Sequence, residues 1–119
     1  MQEKIKTHNP LSRNQISPFE ALPGIFRQTL AYTRDTMLCF FHLNKGADIP
    51  LHNHPNVQIG YIIKGKVKFL SEYPTHEFIA TLGDSYIFDK HEKHGANAME
   101  DTDLIEVFHP YRPEYEPQL

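Results

Sequence analysis

Three histidines and a glutamine are spaced in a way that suits a single metal ion. His52, His54 and Gln58 lie close together in the chain, and His94 follows in a later segment. Residues two apart do not share a helical face, whereas residues two and six apart share one face of an extended chain. We therefore expect the first three side chains to point to the same side of one extended segment. Imidazole and amide donors suit a transition metal, and four protein ligands leave room for water or substrate if the metal takes five or six.

The ligand types do not select one metal. Ni, Zn, Fe and Mn all remain candidates for a divalent cofactor. The Irving–Williams order of metal affinities and the cellular supply of each metal decide which one binds as much as the ligands do. Four further histidines are interpreted as non-ligands, although the first of them could touch the cavity: His42, His76, His91 and His109.

Composition excludes several classes of function. The chain has 119 residues, enough for one domain with a core, and 39% of them are hydrophobic. Its formal charge is -3, with scattered Lys and Arg, which disfavours nucleic acid and anionic membranes as partners. No stretch approaches the roughly 20 apolar residues that span a bilayer, and the first residues lack the apolar segment of a secretion signal. We expect a soluble, cytoplasmic protein. Its single cysteine, Cys39, lies in an apolar run and is expected to be a buried, inert thiol.

The order of segments predicts an all-β fold. Residues 1–23 are polar and broken by prolines, which suggests an arm that packs on the domain or on a second subunit, and residues 24–119 form a single domain. Short β-like runs separated by turn residues favour an antiparallel sandwich or barrel. The predicted strands are Ile25–Tyr32, Met37–Leu43, Val57–Ile63, Val67–Tyr73, Phe78–Leu82, Ser85–Phe88 and Leu104–Phe108.

Two polar side chains fall on apolar faces of these strands. Gln58 shares a face with Ile62, and Glu106 shares one with Leu104 and Phe108. A buried amide needs partners, and a metal is one. The run Met37–Leu43 is apolar on both faces, so we expect the arm or a second subunit to cover its outer side, and a homodimer is the expected assembly.

With its glycines included, this spacing resembles the first motif of the cupin superfamily, with Gln where that motif usually has Glu. The matching positions are Gly46, His52, His54, Gln58 and Gly65. A second, partial motif has Asp89 and His91 where cupins usually have Pro and Gly, and consists of Gly83, Asp89, His91 and His94. The resemblance implies a cupin-type antiparallel β-barrel, also called a jelly roll or double-stranded β-helix, with an N-terminal arm.

A narrower resemblance is to the small single-domain cupins of the KdgF type, which linearise unsaturated uronic acids released by pectin and alginate lyases. It includes His52-x-His54-Pro55, Gln58-Ile59-Gly60-Tyr61 and the tail from Glu106 to Tyr115. It implies that His52, His54, Gln58 and His94 are metal ligands. It also implies a catalytic acid, aromatic ring and guanidinium at Glu106, Phe108 and Arg112. The family has Asp at the first of these positions, so Glu106 is one methylene longer.

These residues suit the chemistry of a cyclic enol ether that carries a carboxylate. Its conversion to the open-chain keto form needs protonation at carbon, water addition and ring opening. Neutral ligands leave the metal its full double positive charge, which attracts an anionic sugar. Arg112 could clamp the substrate carboxylate. Burial would raise the pKa of Glu106, whereas the metal and Arg112 would lower it.

Each of these roles has a structural alternative, and the function has two rivals. Glu106 could pair with Arg112 or Lys68 at the barrel rim, Arg112 could anchor the tail, and Phe108 could be core. The rival functions are another metal-dependent cupin enzyme, an oxygenase or a sugar isomerase, and a non-catalytic cupin that binds small molecules.

Overall fold

Antiparallel β-strands dominate the computed structural model, which describes residues 9–72 and 75–117, without the side chains of residues 75 and 76. The strands of this part of the chain are β1 (Phe19–Leu22), β2 (Ile25–Tyr32), β3 (Met37–Leu43), β4 (Asp48–His52), β5 (Val57–Lys64), β6 (Lys66–Glu72), β7 (Thr75–Thr81), β8 (Ser85–Phe88), β9 (His94–Ala98) and β10 (Thr102–His109). Single 3-10 turns at Arg13–Gln15 and Pro113–Tyr115 lie near its two ends. No helix among the described residues has the length and apolar character needed to cross a membrane.

The strands form two sheets that face each other. One has six strands in the order β1-β2-β3-β10-β5-β8, and the other has four in the order β4-β9-β6-β7. Neighbouring strands pair antiparallel in both. The expectation of an all-β antiparallel fold is confirmed, in the form of a two-sheet sandwich.

Buried and exposed side chains alternate along the central strands, so one face of each strand packs against the core. In β5, Gln58, Gly60 and Ile62 point inward while Ile59 and Tyr61 point outward, and β10 alternates in the same way. The apolar inward side chains of both sheets form one core. Its largest fully buried members are Phe88, Phe108, Met37, Leu43, Ile62 and Val67.

Sequence patterns missed three strands, each for a physical reason. β1 is short and lies between two prolines, and β4 contains Pro50. β9 has the sequence HGANA, without β-branched or aliphatic residues larger than alanine. Gly95 is needed there because a Cβ at this position would press against the carbonyl oxygen of Ile49 in the neighbouring strand. The predicted end of one strand at Tyr73 lies outside the described residues.

The predicted arm contributes to the six-stranded sheet. Its last part forms β1, which pairs with β2 at the sheet edge. Its 3-10 turn packs on the outer face: the guanidinium of Arg13 lies 3.6 Å from the ring centroid of Phe40. The side-chain amide of Gln28 donates hydrogen bonds to the carbonyls of Arg13 and Ile16 at 2.9 and 2.7 Å. The arm of the same chain therefore covers part of the outer side of β3.

Candidate metal centre

The four predicted ligands come from separate elements. His52 ends β4, His54 lies in the following loop, Gln58 is in β5 and His94 begins β9. The expectation of one extended segment was wrong, because the chain leaves one sheet at His52 and enters the other at Val57. His52 and His94 are direct cross-strand partners in the four-stranded sheet. Gln58 faces them from the six-stranded sheet, so the four side chains meet between the two sheets.

The three histidine rings form a compact group. One ligand atom from each of His52, His54 and His94 lies within 4.8 Å of the others. The ring centroids of His52 and His94 are 4.5 Å apart, and the centroid of His54 lies 5.5 and 5.0 Å from them. Such separations suit three nitrogens around one ion.

Backbone carbonyls orient two of the rings. Nδ1 of His52 lies 2.9 Å from the carbonyl oxygen of Pro50, and Nδ1 of His94 lies 2.8 Å from that of Glu92. A carbonyl only accepts hydrogen bonds, so each Nδ1 must carry the proton and donate it. In the neutral rings this leaves a lone pair on Nε2, the usual arrangement in metal-binding histidines.

Two acceptor atoms, Nε2 of His94 and Oε1 of Gln58, then face each other without a hydrogen between them. Oε1 of Gln58 lies 3.0 Å from Nε2 of His54 and 3.2 Å from Nε2 of His94. The lone pairs of His94 Nε2 and Gln58 Oε1 cannot satisfy each other, whereas a cation satisfies both. Nδ1 of His54 is buried with no hydrogen-bond partner among the described residues, so this ring has an unsatisfied nitrogen in either tautomer. The donor set fits a divalent metal.

Burial keeps the rings of His54 and His94 neutral. It lowers the pKa of His54 to about 4, with smaller contributions from the charge of Arg112 and the neighbouring rings. Burial is also the main cause that lowers the pKa of His94, against the opposing effect of the Glu92 carbonyl. Both imidazoles are thus unprotonated at neutral pH, as metal ligation requires.

Glu106 lies directly behind Gln58. It is 7% exposed, and its Oε2 accepts hydrogen bonds from Nε2 of Gln58 at 2.7 Å and from the hydroxyl of Tyr86 at 2.6 Å. Burial raises the pKa of Glu106, while these two hydrogen bonds and the charge of Arg112 act in the other direction. The alternative pairing of Glu106 with Arg112 or Lys68 was wrong, since Lys68 is 3.8 Å from Glu77 and Arg112 pairs with Glu114.

Phe108 and Arg112 lie on the C-terminal side of the site. Phe108 is 1% exposed, and its ring centroid is 6.2 Å from that of His54, so it is both core and a wall of the site. The guanidinium of Arg112 lies 5.3 Å from this ring and 4.2 Å from that of Tyr115. Its Nε and Nη2 each lie 2.9 Å from Oε2 of Glu114. Arg112 is therefore held by rings and one carboxylate.

Three of the four histidines interpreted as non-ligands lie away from the group formed by His52, His54 and His94. Nδ1 of His42 is 2.7 Å from a carboxylate oxygen of Asp103 on the outer face of the sheet, so the expectation that it touches the cavity was wrong. His91 occupies the turn before β9, with a positive φ of 63°. His109 is hydrogen-bonded to the carbonyl of Asp35. The side chain of His76 lies outside the described residues.

Comparison with known proteins identifies the family. The cupin domain family matches residues 39–108, which include all four predicted ligands and Glu106. The chain belongs to the cupin family. This confirms the cupin resemblance and the jelly-roll fold.

Two named proteins are similar in sequence to this chain over most of its length. The chain is 32% identical over 102 residues to the pectin degradation protein KdgF of Dickeya dadantii, covering 83% of this chain and 91% of that protein. It is 27% identical over 103 residues to the L-ectoine synthase of Teredinibacter turnerae, covering 83% of this chain and 75% of that one.

Solved cupin structures agree with the fold. KdgF from a Halomonas species superposes with a TM-score of 0.83 at 29% identity, over 91% of this chain and 98% of the other. An RmlC-like cupin from Shewanella frigidimarina superposes with a TM-score of 0.86 at 24% identity, over 92% and 97% of the two chains.

Sequence reasoning overlooked one residue of this cupin site, Tyr86. Glu106, Gly60 and Tyr86 are aligned across β10, β5 and β8. A Cβ at Gly60 would overlap the ring of Tyr86, so the glycine leaves room for this ring to cross β5 and reach Glu106. An inward-facing tyrosine opposite a glycine in the neighbouring strand was the available signal.

Proposed function

We propose that this cupin is a metal-dependent enzyme that converts 4,5-unsaturated uronate monosaccharides, released by pectin or alginate lysis, to the linear keto form. The observation that carries the proposal is the Gln58 side chain, which joins the histidine group at its oxygen to a buried carboxyl group at its nitrogen. The similarity to the pectin degradation protein KdgF supports the choice of substrate.

His52, His54, His94 and Gln58 would hold the metal. A divalent ion (Ni, Zn, Fe or Mn) with four neutral ligands supplies positive charge and Lewis acidity toward the oxygens of an anionic sugar. The protein keeps the two buried rings neutral and, through Pro50 and Glu92, fixes two of the rings with Nε2 available.

Glu106 is the proposed proton donor. Both hydrogen bonds from Gln58 and Tyr86 end on Oε2, which leaves Oε1 to carry the proton. Because burial raises the pKa of this carboxyl group, it holds a proton more readily than an exposed glutamate does. Transfer of that proton to a carbon of the ring double bond leaves an electron-deficient carbon beside the ring oxygen, to which water adds before the ring opens. Such general-acid catalysis is typically worth about 10² to 10⁴ in rate.

Phe108 and Arg112 would position the sugar. The ring of Phe108 walls the site beside His54. Arg112 pairs with Glu114 through two of its nitrogens, and its remaining N–H groups can donate to substrate oxygens.

The test is the loss of ultraviolet absorbance from the conjugated double bond of 4,5-unsaturated galacturonate. Metal-loaded protein should accelerate this loss over a blank without protein, and His52→Ala should abolish the acceleration. Glu106→Gln then tests the proton donor, because the amide keeps the shape of the side chain but cannot deliver the proton. A rate equal to the blank, from protein shown to hold metal, would reject this substrate and favour another cupin reaction or a binding role.

We also propose a homodimer through the outer face of the six-stranded sheet. Ile59, Tyr61 and Ile87 on this face are 48%, 46% and 61% exposed, and together they form an apolar surface that a second copy would cover. Light scattering after gel filtration should give a dimer for the wild type and a monomer for Ile59→Lys. The matched control is Leu82→Lys, which alters an equally apolar but separate exposed residue. A monomeric wild type would refute the assembly.

A further inference from the structure

A cavity of about 480 Å³ lies beside the histidine group. This volume falls in the usual range for small-molecule sites. Arg27, Ile49, His52, Arg112, Glu114 and Tyr115 are among its lining residues. His52 is thus shared between this cavity and the candidate metal centre, and a small molecule in the cavity can contact His52 directly.

Arg27 is the unusual member of this lining. It lies on the inner face of β2, between the buried residues Ile25 and Thr29, and its cross-strand partner is Phe41. Arginine is rare on the inward face of a sandwich, because desolvating its charge is costly unless a partner compensates it.

The contacts that the structure gives Arg27 are aromatic. Its guanidinium lies 4.0 Å from the ring centroid of Tyr115 and 5.1 Å from that of Phe19. Within residues 9–72 and 75–117 no carboxylate oxygen lies within 4.0 Å of it, whereas Arg112 in the same cavity is paired with Glu114. A guanidinium that lies over rings still has its edge N–H groups available for a planar anion. Arg27 is therefore the cation of this cavity that forms no ion pair within the described part of the chain.

We propose that Arg27 binds the carboxylate of the substrate and makes this cupin selective for monouronates over neutral sugars. This inference rests on the proposed function, because it assigns one group of the proposed substrate to one residue. A carboxylate on Arg27 places the attached sugar ring in the cavity that His52 shares with the metal centre. The specificity is geometric as well as electrostatic, since a guanidinium offers a carboxylate two parallel hydrogen bonds.

The competing explanation is that Arg27 only packs between two rings. Arg13 provides a matched control, because it also lies over an aromatic ring, that of Phe40, but on the outer face of the sheet. Lysine at position 27 keeps the charge but loses the paired hydrogen bonds, so it should restore part of any binding that glutamine loses.

Calorimetric binding of D-galacturonate and of its uncharged methyl ester to metal-loaded protein tests the proposal. We expect Arg27→Gln to weaken galacturonate about tenfold or more, and to leave the ester nearly unchanged. Arg27→Lys should recover part of the loss, and Arg13→Gln should match the wild type. Equal weakening of acid and ester by Arg27→Gln would overturn the proposal, as would a wild type that does not prefer the acid.

The ultraviolet assay on the same preparations separates this inference from the proposed function. Absence of turnover together with Arg27-dependent binding of galacturonate would reject the reaction and keep the carboxylate site. Turnover with an unchanged KM in Arg27→Gln would keep the reaction and reject the site.

Discussion

Acid should destabilise the metal-free protein through His54. Burial lowers the pKa of this imidazole to about 4 from an ordinary value of 6.5. Between these two values the unfolded chain binds a proton at His54 and the folded chain does not. Since stability rises with pH wherever the unfolded state holds more protons, the contribution of His54 is complete above pH 6.5, falls as the pH drops toward 4 and is constant below it.

The size of the effect follows from these two pKa values. Each pH unit over which the unfolded state holds one extra proton costs about 1.4 kcal/mol. Integrated from pH 7 to pH 5, the loss is about 2 kcal/mol, because the transition is only partly complete at each end. Glu106 acts in the opposite direction, since a raised carboxyl pKa makes the folded state the better proton acceptor. A comparison of variants is therefore needed to isolate His54.

Urea unfolding of chelator-treated protein at pH 7 and pH 5 measures this difference. The wild type should lose about 2 kcal/mol more on acidification than His54→Gln does, because Glu106 is common to both proteins. His109→Gln, at an exposed position, should behave as the wild type. An equal pH dependence in the wild type and His54→Gln would refute the conclusion that the folded protein holds this ring neutral.

Three further perturbations test the packing around the site. Tyr86→Phe removes the hydroxyl that donates to Glu106 and should lower the free energy of unfolding by about 1 to 2 kcal/mol in urea titrations; an unchanged value would mean that this hydrogen bond has no net effect. Gly60→Ala forces a methyl group against the Tyr86 ring and should cost about 1 to 3 kcal/mol in the same experiment, so unaltered stability would contradict the close approach. Burial raises the pKa of Cys39 to about 12, so iodoacetamide at pH 8 should modify this thiol only after unfolding, and rapid modification of the native protein would disprove its burial.

Alternation along the strands explains why much of the fold could be predicted. β5 and β10 each place polar residues among inward-facing apolar ones, so Gln58 and Glu106 were recognisable as buried groups that need partners. The identity of those partners was not visible, because it depends on which strands are neighbours. Glu106 meets Gln58 and Tyr86 because β5 lies between β10 and β8, an order that makes neighbours of strands far apart in the sequence.

Convergence of the histidines was predicted for a partly wrong reason. A two-residue spacing suggested one strand, whereas His52 and His54 lie on either side of the point where the chain crosses between sheets. Arg27 was overlooked because a single arginine in a strand carries no pattern of its own. Its role becomes visible only when β1 and the C-terminal segment bring Phe19 and Tyr115 to it.

Glutamine at the fourth predicted ligand position allows the side chains of residues 58 and 106 to lie in contact. A carboxylate at position 58 would face the histidine nitrogens equally well, but its second oxygen would lie against Oε2 of Glu106, where Gln58 now donates a hydrogen bond of 2.7 Å. Two buried carboxylates at that distance cannot both be ionised, so one would have to retain a proton. The amide avoids this conflict because one end accepts and the other donates. Glutamine at position 58 therefore suits the longer, buried acid at position 106, because the amide fixes one oxygen of Glu106 and leaves the other available.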